Sequence, residues 1–181
     1  MTPPDRQCGM TLIEVLVAIV VAAIGLLGMV ALQMRAYAAD SESYQRASAV
    51  MLLQDMVARI NSNRAAAATY AATNVGVGPV QDCTAVVGAS AQDLCQWGNL
   101  LRGAAEQSAG NNVGAMLLAR GCITTQVPPA SAPASVVLIV AVAWQGVTPT
   151  GAPASTCGQG AYSSEKLRRA ATAIVEIGTL S

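Results

Sequence analysis

The chain has 181 residues, with ten basic and ten acidic side chains and neither histidine nor phenylalanine. A net charge of zero gives no electrostatic reason to expect a nucleic-acid partner, and without histidine the usual general base of a serine or cysteine hydrolase is missing. Hydrophobic residues make up 53% but aromatics only 3%, so a soluble part must build a modest aliphatic core and draw support from disulfides.

Met1 to Gly9, reading MTPPDRQCG, is a short polar leader. From Met10 to Leu32 the chain is an apolar rod, MTLIEVLVAIVVAAIGLLGMVAL, whose single charge is Glu14. Twenty uncharged residues separate Glu14 from Arg35, about the number that a helix needs to cross a bilayer core of roughly 30 Å. An ionised side chain inside such a rod costs roughly 2.5 to 3.5 kcal/mol on insertion scales, so Glu14 needs a partner or a function. Ordinary secretory signals carry their small-residue cleavage site after the apolar stretch, whereas here Gly9 stands in front of it.

Polar leader, Gly9, an apolar residue, Thr11-Leu12-Ile13-Glu14-Val15 and the uncharged run occur in an order that resembles the precursors of type IV pilins. The resemblance implies cleavage between Gly9 and Met10 by a prepilin peptidase and N-methylation of Met10. It also implies that Glu14, fifth in the mature chain, pairs with the Met10 amine of a neighbouring subunit during assembly. Met10 departs from the phenylalanine usual at that position. Arg6 and the amino terminus, set against Arg35, bias the helix only weakly toward a cytoplasmic N-terminus; the resemblance implies the same orientation. Gly25 and Gly28 with Ala22, Ala23 and Ala31 give the rod a small-residue side that permits close helix packing.

From Gln33 to Arg64 the helical pattern continues but turns amphipathic, with Val50, Leu53, Met56, Val57 and Ile60 on one face. Glu42 with Arg46, and Asp55 with Arg59, read as intrahelical pairs on a solvated face. Rod and extension together make one helix of roughly 50 residues. The order Gly25-Leu26-Leu27-Gly28, Leu32-Gln33, Ser48-Ala49, Asp55-Met56 and Arg59-Ile60-Asn61-Ser62-Asn63-Arg64 is similar to that of minor pilins of the PilV kind, the type IV pilus modification proteins.

Residues 65 to 93 read as a helix end and a loop around Pro79, and Asp93 to Gln107 as a short amphipathic helix with Trp97 in the core. Gly110-Asn111-Asn112 marks a turn, Met116 to Val127 a first strand around Cys122, and 128 to 135 a proline-broken connection. Val136 to Trp144, VVLIVAVAW, is the strongest and most central strand, followed by a loop over 147 to 162 and a last strand from Arg168 to Ile177. Arg168 and Arg169 read as a solvated strand end, Asp82 as a loop residue and Asp93 as a helix cap. Once Cys8 leaves with the leader, four cysteines remain, and four allow three pairings. Cys83 with Cys95 and Cys122 with Cys157 is favoured, because each closes a loop next to its predicted element. No cysteine spacing suits zinc, so no metal is expected.

The expected fold class is α+β, a type IV pilin-like fold: a long N-terminal helix, its first half membrane-embedded, packed on a small antiparallel β-sheet domain. Residues 1–9 would be the leader, 10–34 the transmembrane and assembly helix, 35–64 its amphipathic continuation and 65–181 a periplasmic head. No catalytic motif and no cofactor signature is present, so the chain is not expected to be an enzyme. The resemblance implies a minor pilin that primes pilus assembly, single-pass in the inner membrane and later part of the pilus. Its partners would be the prepilin peptidase, other minor pilins, the major pilin and the assembly platform. The alternatives are a minor pseudopilin of a type II secretion system and, from another class, a membrane-anchored periplasmic binding module.

Overall fold

A computed structural model describes residues 11–104, 107–109, 111–112, 116–127 and 135–178. The chain divides into two compact units, Met1–Asp40 and Ser41–Ser181. The leader, Cys8, Gly9 and Met10 lie outside the described residues, as does nearly all of the connection expected over 128 to 135.

Helix α1 runs from Leu12 to Ser62 without a break, 51 residues with no proline and no β-branched cluster outside the apolar rod. Within the first unit its large apolar side chains are exposed on every side. In the second unit one stripe turns inward: Gln45, Ala49, Leu53, Met56 and Ile60 are buried at spacings of three and four. Leu53, Met56 and Ile60 belong to the expected face. Ala49 takes the place given to Val50, which is only half-buried.

That sheet has four antiparallel strands in the order β1-β4-β5-β6. They are β1 Ala72–Val75, β4 Arg120–Gln126, β5 Val136–Gln145 and β6 Arg168–Ile177. A separate two-residue ladder joins β2 Gln107–Ser108 to β3 Asn111–Asn112, so the two asparagines are strand residues rather than the turn itself. β5 lies between β4 and β6, with Cys122 opposite Ala141 and Ala141 opposite Thr172. Both of its faces are covered, which is why the sequence reads VVLIVAVAW without alternation. Leu138, Val140, Val142 and Trp144 face the α1 side with Ile123, Val175 and Ile177. Cys122, Ala141 and Ala143 face the opposite side, beneath Cys157 and Tyr162.

Three local features differ from expectation. The stretch after α1 contains a short 3-10 helix, Arg64–Tyr70, and strand β1, which an Ala- and Thr-rich sequence with one left-handed Asn74 did not announce. Helix α2 spans Ala89–Leu101, starting four residues earlier and stopping six earlier than the periodicity predicts. Asp93 therefore sits inside α2 and not at its cap. Disulfides join Cys83 to Cys95 and Cys122 to Cys157, with Cα–Cα distances of 5.7 Å in both.

Candidate functional site

The amino end of α1 is where an unusual sequence meets an unusual surface. The helix starts on Thr11, whose carbonyl accepts hydrogen bonds from the Glu14 and Val15 amides at 3.1 and 3.3 Å. Glu14 thus lies in the first turn, exposed, where the helix dipole favours a carboxylate. Beyond it, Leu12, Ile13 and the large apolar side chains through Met34 are exposed among the described residues, Leu12 by 78%. The helix is long and apolar enough to cross a membrane. An apolar surface of this extent on all sides must be covered by lipid or by other helices.

The glycines of this stretch point the same way. A methyl group placed on Gly25 or Gly28 would meet nothing within 4 Å, so the chain's own packing does not require their smallness. Each nevertheless costs a helix interior roughly 0.5 to 1 kcal/mol relative to alanine.

In the second unit the charged residues read as solvated pairs have structural partners instead. Glu42 does not pair with Arg46. Its Oε1 accepts from the Val147 amide at 2.7 Å, the Thr148 amide at 3.1 Å and Arg169 Nη2 at 3.2 Å. Burial opposes its charge, but the Thr148 and Val147 amides and the Arg169 guanidinium outweigh that and hold its carboxyl below the usual range. Arg168, far from solvated, is 3% exposed; it bonds Glu165 at 2.6 Å and the carbonyls of Ser155, Cys157 and Pro153, so it pins the loop that carries Cys157. Arg59 keeps its Asp55 partner at 2.8 Å but also holds Asp93 at 2.9 Å and Gln96 at 2.8 Å, tying α1 to α2. Asp93 in turn accepts from the Tyr70 hydroxyl. Asp82 fits its reading as a loop residue, accepting from the Thr84 amide at 2.9 Å. Trp97 is fully buried and donates to the Leu52 carbonyl at 2.8 Å.

These cations and carboxylates thus build the head and leave no reacting constellation among themselves. Among the described residues no group of histidine, cysteine, aspartate and glutamate is arranged for a metal. Chemical distinction falls on the apolar helix with Glu14 in its first turn. The prokaryotic N-terminal methylation motif matches residues 4–30 of the chain, and the family described as Tt1218-like, type IV pilin Tt1218, matches residues 31–98. This chain is a type IV pilin. No curated protein and no solved structure matches it. The two family matches abut and end inside α2, so for this pilin the four-stranded sheet is seen in the structure alone.

Proposed function

We propose that this pilin is a minor pilin of the PilV kind, made as a precursor and cut between Gly9 and Met10 by a prepilin peptidase that methylates the new Met10 amine. The observation that carries the reading is the α1 surface: apolar and uncovered all round, with Glu14 in the first turn as the only charge before Arg35. In a bilayer, an unpaired carboxylate there is unfavourable by roughly 2.5 to 3.5 kcal/mol, and the methylated amine of a neighbouring subunit offsets that cost only in the correct register. Membrane residence before assembly and pilus residence after it follow from the same helix. The N-terminus lies in the cytoplasm and the head in the periplasm. The protein does no covalent chemistry. It joins other minor pilins to prime a fibre of major pilin on the assembly platform.

Mass spectrometry of the mature N-terminus tests the first step, with N-methylated Met10 expected and an intact Met1 overturning it. Glu14→Ala tests the second. Leader cleavage should persist while the amount of this subunit in sheared pili falls at least tenfold; normal incorporation would refute the pairing. Co-purification with type II secretion components in place of pilus components would move the protein to the pseudopilins.

A further inference from the structure

One cavity of the second unit plays no part in the function proposed above. It holds about 370 Å³ on the outer face of the sheet, between β4, β5 and the loop that ends at Tyr162. Its floor is apolar, formed by Ile139, Ala141 and the Cys122–Cys157 disulfide. Its wall is held in place from behind, because Arg168 binds the Ser155 and Cys157 carbonyls and Glu165 accepts from the Gly160 amide at 2.7 Å. A ligand would therefore meet a preorganised wall and spend little ordering entropy on it.

Among the described residues the charge lining this cavity is unbalanced. Arg120 is, among the described residues, the one ionic side chain that lines it, and none of the ion pairs there includes Arg120. The guanidinium lies 5.5 Å from the centroid of the Tyr162 ring, and its contact to Asn74 Oδ1 is long, at 3.5 Å. Its Nε is buried with no acceptor. Around it, Thr73, Thr124, Thr156 and Gln159 line the cavity with hydroxyl and amide groups.

The geometry points to a binding site for a small hydroxylated carboxylate of the uronic-acid class. Arg120 would take the carboxylate in its planar fork, the Thr and Gln groups would exchange hydrogen bonds with ring hydroxyls, and Ile139 and Ala141 would meet the C–H face of the sugar. A single cation balances one negative charge, so a phosphate dianion would keep one charge uncompensated in a partly enclosed site. A neutral sugar would leave the Arg120 charge without a counter-charge among the described residues.

Saturation-transfer NMR on the full-length chain, in a detergent without sugar or carboxylate head groups, tests this with D-glucuronate, D-glucose and acetate as probes. Glucuronate should give saturable transfer with at least tenfold tighter binding than glucose or acetate. Arg120→Gln should weaken it tenfold or more. Ile139→Trp, which fills the floor and keeps Arg120, should abolish it, and this variant decides if Arg120→Gln fails to fold. The proposal is overturned if glucuronate shows no saturable transfer, if acetate binds as well as glucuronate, or if a folded variant of either kind binds glucuronate as the parent does.

Discussion

Replacing Gly121 by alanine probes the tightest contact of the head. Gly121, the second residue of β4, lies on the face that meets Trp97, and a Cβ there would lie 2.1 Å from Cζ3 and 2.2 Å from Cη2 of the indole. Carbon atoms prefer about 3.5 to 4.0 Å, so the ring must retreat by more than about 1 Å. It has no room to do so, because Trp97 is fully buried between α1, α2 and β4 and its Nε1 is held by the Leu52 carbonyl at 2.8 Å. Overpacking of this kind costs about 3 kcal/mol at the upper end of its usual range, and loss of the indole hydrogen bond adds about 1 kcal/mol. For a unit of this size, about 3 to 4 kcal/mol lowers the melting temperature by more than about 10 °C.

Urea unfolding of the detergent-solubilised chain, followed by tryptophan fluorescence, measures the loss. A second substitution separates steric conflict from a general intolerance of β4. Trp97→Phe removes the outer ring edge that Gly121 accommodates and leaves Trp144 as reporter. In that background, Gly121→Ala should cost at least about 1 kcal/mol less than in the parent. A Gly121→Ala variant within about 0.5 kcal/mol of the parent, or an equal cost in both backgrounds, would refute the reasoning.

Stability should depend on pH at both ends of the scale. Glu42 titrates lower in the folded chain, so its stabilisation is complete above the ordinary carboxylate value of 4.5 and is lost as pH falls through its depressed folded value. Glu42→Gln should flatten this acid limb in a melting series. Tyr162 is pushed up to about 12 by burial, which outweighs the opposing charge of Arg120; its contribution is present below pH 10 and lost as pH rises toward 12, a limb that Tyr162→Phe should reduce. The disulfides should differ in worth. In the chain-entropy picture the Cys122–Cys157 link, with a separation of 35, contributes about 4 kcal/mol, and the Cys83–Cys95 link, with a separation of 12, about 3 kcal/mol; paired Cys→Ser variants in urea should therefore rank in that order. Leu118 is exposed with φ of +51°, a left-handed conformation that a branched side chain adopts at a cost of about 1 kcal/mol. Leu118→Gly or Leu118→Asn should therefore raise the melting temperature by a few degrees, and a fall with either would contradict this reading.

What the sequence makes legible depends on how far away the partner of each residue lies. The α1 pattern is local. The apolar run, the position of Glu14 and the switch to a stripe at Leu53, Met56 and Ile60 are all spelled within one helix, and its 51 residues match the reading. β5 is legible for a related reason, since nine apolar residues without glycine or proline leave a strand covered on both faces as their natural state. β1 is four residues long and depends on pairing with β4 some fifty positions later, so its own composition carries no signal.

Glu42 and Glu14 make the contrast sharpest, because they are the same residue type on the same helix. Glu14 attracts notice because it is the single charge of the apolar rod. Glu42 has Arg46 four residues on, a local explanation that is sufficient on paper and absent in the structure, where its partner Arg169 is 127 positions away. Arg168 and Arg169 are neighbours in sequence, yet strand alternation sends one to each face of the sheet. Arg169 goes to α1 and Arg168 to the loop that walls the Arg120 cavity. A paired charge motif in a strand therefore has to be read as two separate residues, and only the sheet shows what each one holds. Arg120, on the same outer face as Arg168, has no such acidic partner among the described residues, and so it, not the conspicuous Arg168-Arg169 pair, is the charge on which the proposed ligand site rests.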